Sequence, residues 1–266
     1  MAPTVPVPST ATGIQWHHGM SGVVIEAPNM TVTKRPFPGE EFKAQLDIER
    51  RIYKRLGQHP YITRFITADS DEIVLERLQY PLRTRLLELR SNNQRPPIQT
   101  VLRWARQIAQ AFHHVHSCGV LQVDIGAYNV LLDWNDGAKL CDFAGSSLDG
   151  SEPMVAPSAH ATHPRISITH PSIRSELFAI GSLLHEIETT YVPYNDKNDG
   201  ELEELFAADQ YSDVGNLMLG DVITKCWTGQ FADAGEVVID IDRIEKQLND
   251  NALRGLATGG RDSTPP

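Results

Sequence analysis

Asp124, Asn129 and Asp142 pose the first chemical question of this sequence. The string VDIGAYNVLLD, residues 123–133, sets Asp124 and Asn129 among small and apolar residues, and CDF at 141–143 adds Asp142. Side chains of these types can exchange a proton or meet a hard cation, yet buried without partners they cost free energy. Three such groups in an apolar frame make sense if they face a cleft. A second group of chemistry-bearing residues, His113, His114, His116 and Cys118, has the composition of a metal cluster. On a helix, residues at i, i+1 and i+3 point in diverging directions and do not converge on one ion, so this group reads as helix surface and packing.

The elements that must position the first group change character along the chain. From Ile14 to Glu76 the pattern is of short strands interrupted by one helix. GVVIEA and MTVTK are strand-like, EEFKAQLDIERRIYKRLG repeats apolar residues at helical spacing, and YITRFITAD and EIVLERL are strands again. After Pro81 the pattern is helical: PLRTRLLELR, then TVLRWARQIAQAFHHVHS with Gly119 as its stop. Short strands and loops return over 121–143, followed by irregular Ser/Pro-rich residues to about Ser172. Helices resume with SELFAIGSLLHEIETT, GELEELFAAD and GDVITKCW. The pattern predicts an α+β fold of two lobes, a small strand-rich lobe over residues 13–78 and a larger helical lobe over 79–250. Residues 1–12 and 251–266, rich in Pro, Ser, Thr and Gly, are expected to be disordered tails.

Composition narrows the function classes. The 266 residues suit one large domain or two lobes around a cleft. Three cysteines, odd in number and without spacing, argue against a disulfide framework and for a reducing, cytoplasmic setting. The first dozen residues lack the pattern of a secretory signal, and apolar runs such as FAIGSLL are too short to cross a bilayer. Residues 1–125 hold 15 Lys and Arg against 11 Asp and Glu, whereas residues 126–266 hold 9 against 23. So acidic a second half argues against nucleic acid or an anionic membrane as its partner.

GVLQVDIGAYNVLLD followed by KLCDFAG resembles the catalytic loop and metal-binding segment of protein kinases, H-R-D-x-x-x-x-N and D-F-G. The resemblance extends over nearly the whole chain. HHGMSGVV is similar to the glycine-rich phosphate loop, with Gly19 and Gly22 at its second and third glycine positions. TVTK places Lys34 at the strand lysine, and IERRIYKRLG places Glu49 at that lysine's helix partner. IVLERL is similar to the strand and hinge that meet adenine. The compact, divergent form also resembles kinase-like proteins of filamentous fungi. What the resemblance implies is an ATP- and magnesium-dependent fold in which Lys34, held by Glu49, clamps phosphates. Asn129 and Asp142 would ligate magnesium, and Asp124 would orient the acceptor hydroxyl and take its proton. Val24, Val32 and Leu131 would enclose adenine, with hinge contacts from Glu76 and Leu78.

Several positions depart from the family. Gln122 and Val123 replace the His-Arg of the catalytic loop, so phosphorylation at Ser146, Ser147, Ser151 or Thr162 is not expected to act through that arginine. Gln122 would need hydrogen-bond partners within an apolar stack of Tyr53, Phe65 and Phe143. Gly126 stands where serine/threonine kinases carry a lysine, Ala144 replaces a glycine, and His17 replaces the first loop glycine. No Ala-Pro-Glu signature follows residue 150. HPR at 163–165 is its nearest match, with Arg165 at the acid position, and the arginine that pairs with that acid is missing near Ala234. Glu176 takes the aspartate position of the central helix. The expected function is transfer of a phosphoryl group from ATP to a hydroxyl, most simply a serine or threonine of a protein. The alternatives are a pseudokinase that binds nucleotide or scaffolds partners, and a kinase-fold enzyme for a small metabolite.

Overall fold

GVVIEA and TVTKRP are mostly half-buried and pair antiparallel as β2 (Gly22–Ala27) and β3 (Thr31–Pro36), with Val24 opposite Lys34. The computed structural model describes residues 16–27 and 29–258, so the stretch 1–12 lies outside the described residues. β1 (Trp16–His18) flanks β2, and β4 (Phe65–Ala68) and β5 (Ile73–Glu76) complete a five-stranded sheet in the order β1-β2-β3-β5-β4. One helix, α1 (Glu40–Leu56), crosses this part of the chain. Glu40 and Glu41 lie in its first turn and Lys54 and Arg55 in its last, which complements the helix dipole by a few tenths of a kcal/mol to about 1 kcal/mol at each end. Its buried face carries Leu46, Ile48, Ile52, Tyr53 and Leu56, and Glu49 lies in that apolar stripe. A carboxylate there requires a cationic partner from another element.

The helical part follows the short strand β6 (Tyr80–Pro81): α2 (Leu82–Ser91), α3 (Ile98–Ser117), α4 (Ile173–Thr189), α5 (Asp199–Ala207), α6 (Gly220–Thr228) and α7 (Ala234–Thr258). Between α3 and α4 run β7 (Val120–Leu121), β8 (Val130–Leu132), β9 (Ala138–Leu140) and β10 (Ser147–Leu148), with one 3₁₀ turn at Ala159–Ala161. These strands form a β6-β8-β9 sheet and a β7-β10 pair. α4 is buried on every side from Glu176 to Ile187, as expected of a central helix with apolar residues around its circumference. Ser172 and Ser175 close its start with a reciprocal capping box. The two-part α+β architecture is the one the sequence predicts.

One element differs from expectation. α7 runs on to Thr258, eight residues into the stretch 251–266 read as a disordered tail. Val237 and Ile241 are fully buried, with Val238 and Ile244 packed against the core. Their spacing is helical, but intervening Asp and Glu residues dilute the apolar signal in the sequence.

Candidate active site

Lys34 projects from β3 into the space between the two parts of the molecule and bridges two carboxylates. Its Nζ lies 2.7 Å from Glu49 Oε2 and 2.8 Å from Asp142 Oδ1. Glu49 is fully buried on α1 and accepts a further bond from the Phe143 amide at 3.2 Å. Burial pushes the Glu49 carboxyl up from its ordinary value, against the pull of Lys34. For Lys34, burial acts to lower the pKa, but the charges of Asp142 and Glu49 prevail and hold the ammonium well above its usual range. Burial likewise acts to raise Asp142, and Lys34 overrides it, leaving this carboxyl below the usual carboxylate range. The Lys34 charge thus opposes the cost of burying both carboxylates, prevailing at Asp142 and being outweighed by burial at Glu49.

Asp142 sits at φ 58°, a left-handed conformation uncommon for a non-glycine residue. Its Oδ1 is engaged by Lys34 and by the Ala144 amide at 3.2 Å, and the side chain stays 39% exposed. Asn129 donates its amide N–H to the Asp124 carbonyl at 2.8 Å and to Asp124 Oδ2 at 3.2 Å, which leaves the amide oxygen for another partner. The second Asp142 oxygen and the Asn129 amide oxygen suit magnesium, which takes one or two protein carboxylates and fills its remaining positions from phosphate and water. Among the described residues no group of three or more His, Cys, Asp or Glu side chains could hold a metal, and the histidines of α3 diverge. His114 meets the Leu56 carbonyl, His116 meets Glu176, and His113 faces Asp233.

Asp124 is half-buried, and burial pushes its carboxyl up despite bonds from Tyr128 and Asn129. The loop that carries it is anchored from behind. Val123 adopts φ 71°, a costly conformation for a β-branched residue, and its N–H donates to Glu176 Oε1 at 2.6 Å. The other oxygen of Glu176 meets His116 Nε2 at 2.8 Å, with both side chains buried. Gln122 donates to the carbonyls of Cys141 and Asp142 at 2.7 and 3.2 Å, so its amide is satisfied within the stack. Tyr53 does pack on Phe65 and Phe143, with ring centroids 6.1 and 5.3 Å away. Ser146 and Ser147 are buried and hydrogen-bonded, Ser146 to the Gln122 carbonyl at 3.0 Å and Ser147 to the Ser151 carbonyl at 2.6 Å.

The residues expected around adenine share one face by register. Val24 lies opposite Lys34 and Val32 is two positions before it, so all three side chains point to the same side of the sheet. Leu131 is half-buried on β8 in the other part. Glu76 Oε1 accepts from Lys139 at 2.6 Å and from the Arg64 amide at 2.8 Å, and the Glu76 N–H donates to the Arg64 carbonyl at 3.0 Å. Arg77 and Gln79 are tied to the Met30 and Leu132 carbonyls, while no backbone bond holds Leu78 between them among the described residues. Gly19 and Gly22 close a tight turn through a 2.9 Å backbone bond. The structure adds a second reason for Gly22: a Cβ there would fall 2.0 Å from the Arg35 carbonyl oxygen on β3.

Arg165 does not seek a buried acid. It pairs at the surface with Asp209 at 2.5 Å, and Ala234 is buried at the start of α7. Sequence reasoning gave no role to Tyr128 or His116, whose partners become visible only in three dimensions.

A strand lysine paired to a helix glutamate, an Asp-to-Asn loop and an Asp-Phe turn between a sheet and a helical bundle define a protein-kinase-type site. Residues 29–223 match the family described as the protein kinase domain, and the chain belongs to that family. It is similar to the probable serine/threonine-protein kinase SIS8 of Arabidopsis thaliana, 27% identical over 227 residues that cover 79% of this chain and 21% of that protein. It is similar also to the serine/threonine/tyrosine-protein kinase HT1 of the same plant, at 24% over 230 residues, covering 81% and 57%. A third relative is the serine/threonine-protein kinase mos of Xenopus laevis, at 22% over 242 residues, covering 79% and 65%. The chain thus spans between 21% and 65% of the length of these curated relatives. No helix among the described residues is long and apolar enough to cross a membrane.

Proposed function

We propose that the chain transfers the terminal phosphoryl group of ATP to a hydroxyl, most simply a serine or threonine of a protein. The observation that carries this reading is Lys34 held between Glu49 and Asp142 at 2.7 and 2.8 Å. Phosphoryl transfer depends on positioning and charge neutralisation, and in this cluster two carboxylates fix the Lys34 ammonium in place. In the proposed reaction Lys34 binds phosphate oxygens, and the turn of Gly19 and Gly22 covers them with backbone amides. Val24, Val32 and Leu131 enclose the base, with the backbones of Glu76 and Leu78 at its edge. Asp142 and the Asn129 amide oxygen would hold magnesium, which supplies Lewis-acid neutralisation of the phosphates. Asp124 orients the acceptor hydroxyl and takes its proton as the new O–P bond forms and the bond to ADP breaks.

The first test is the thermal midpoint with ATP, with magnesium and with both. At a hundredfold excess over its dissociation constant, a ligand of the folded state stabilises it by about 2.7 kcal/mol. That corresponds to roughly 5 to 8 °C for a domain of this size. A magnesium-dependent ATP shift that disappears in Asp142→Asn is the expected result. No shift under any condition refutes the reading and leaves a kinase-shaped scaffold.

A further inference from the structure

The Tyr128 hydroxyl rests on the carboxylate that the acceptor must also reach. It donates to Asp124 Oδ1 at 2.6 Å, while the Asn129 amide holds Oδ2 at 3.2 Å. Each carboxylate oxygen therefore has its own donor from the same short loop. No Lys or Arg occurs between residues 123 and 133, so both of these donors are neutral. One edge of the Tyr128 ring lies against Gly126, where a Cβ would fall 2.4 Å from one ring carbon and 2.7 Å from the carbon bearing the hydroxyl. Gly126 has no positive φ, so its bare Cα serves to make room for the ring rather than to permit an unusual backbone. The Tyr128 side chain reaches Asp124 from the solvent side, with 40% of the residue exposed.

We infer that Tyr128 is a positioning residue for the transfer step. Its hydroxyl fixes the rotation of the Asp124 carboxylate so that the remaining lone pairs face the acceptor, and Gly126 is the space that lets it do so. A carboxylate with one donor turns about its Cβ–Cγ bond, whereas a donor on each oxygen stops that rotation. Reacting groups tolerate little misplacement, since an error of about 1 Å costs on the order of a hundredfold in rate. The inference rests on the phosphotransferase reading above.

The test compares the full chain with Tyr128→Phe, Gly126→Ala and the double variant. The readouts are ADP release, with water and with dephosphorylated casein as hydroxyl donors, and the thermal shift given by magnesium and ATP. Tyr128→Phe lowers kcat about tenfold, with KM for ATP and the thermal shift unchanged. Gly126→Ala keeps the phenol but displaces the ring, and lowers kcat to a similar degree. The double variant is no slower than the slower single one, because both changes break the same contact. A purely structural role would instead lower the unliganded midpoint and make the two losses add. An unchanged kcat in Tyr128→Phe overturns the inference. A raised kcat also overturns it, and marks the hydroxyl as a plug on Asp124. No turnover in the unaltered chain, with a normal magnesium–ATP shift, refutes the transfer reading and this inference with it. Absence of the shift itself refutes nucleotide binding first.

Discussion

In the Lys34–Glu49–Asp142 cluster one ammonium meets two carboxylates, at 2.7 and 2.8 Å, and the carboxylates hold its charge in place. The Val123–Asn129 loop carries one charge, Asp124, held by a phenol, an amide and a backbone anchored on Glu176. The first region is compensated by charge and reaches across the molecule from β3 to α1 and the Asp142 turn. The second is compensated by neutral donors and is local except for its anchor. The difference teaches that injury to the two regions should be felt differently. Breaking the cluster leaves a buried ion without its partner, which costs stability and ligand response together. In the proposed reaction, breaking the loop displaces a single carboxylate and should cost turnover first.

The sharpest way to test that contrast is Asp124→Asn. It should reduce turnover by about 10²- to 10⁴-fold while the magnesium–ATP midpoint shift stays intact, as read by ADP release alongside thermal melts. Lys34→Met should instead abolish the shift and leave Glu49 buried without its cation. The expected cost is about 3 kcal/mol or more in urea unfolding. If Lys34→Met kept both its stability and its shift, the distinction between the regions would collapse.

The anchor of the loop should show an intermediate effect. Glu176→Ala removes the acceptor of the buried Val123 N–H and the partner of His116, so a loss of about 1–3 kcal/mol is expected in the same unfolding experiment. Gly22→Ala sets a methyl 2.0 Å from the Arg35 carbonyl and should cost about 1–3 kcal/mol by overpacking. At Gly19 a Cβ meets only the Gly22 carbonyl at 3.5 Å, so Gly19→Ala should melt close to the unaltered chain.

The smallest effect lies away from both regions. Burial lowers the pKa of His59, His163 and His185 below the usual 6.5, aided by His114 beside His59 and by Arg174 and Arg165 beside His163. The folded chain then binds fewer protons than the unfolded chain just below pH 6.5. This contribution to stability is complete above that pH and declines as the pH falls below it. A midpoint lower at pH 5.5 than at pH 7.5, with part of the difference removed in His185→Gln, is the expected result.

The sequence on its own determined what local spacing can encode. The five-residue step from Asp124 to Asn129 and the apolar stripes of α1 and α3 were all legible, because each lies within one element or loop. The strand, helix and loop order that brings Lys34, Glu49 and Asp142 into range was legible through family resemblance. The continuation of α7 past residue 250 was not, because the stretch 251–266 is rich in Gly, Ser, Thr and Pro and has no apolar repeat. Only the tertiary structure decided that Glu176 holds the Val123 amide, that His116 backs Glu176, that Gln122 is satisfied by two carbonyls and that Gly22 must clear the Arg35 carbonyl. The same holds for the Tyr128 hydroxyl: its neighbours in sequence are plain, but its contact with Asp124 depends on a rotamer and on the bare face of Gly126. Such contacts have directional limits of a few tenths of an ångström, and no periodicity or composition encodes a side chain's direction once the fold has closed around it.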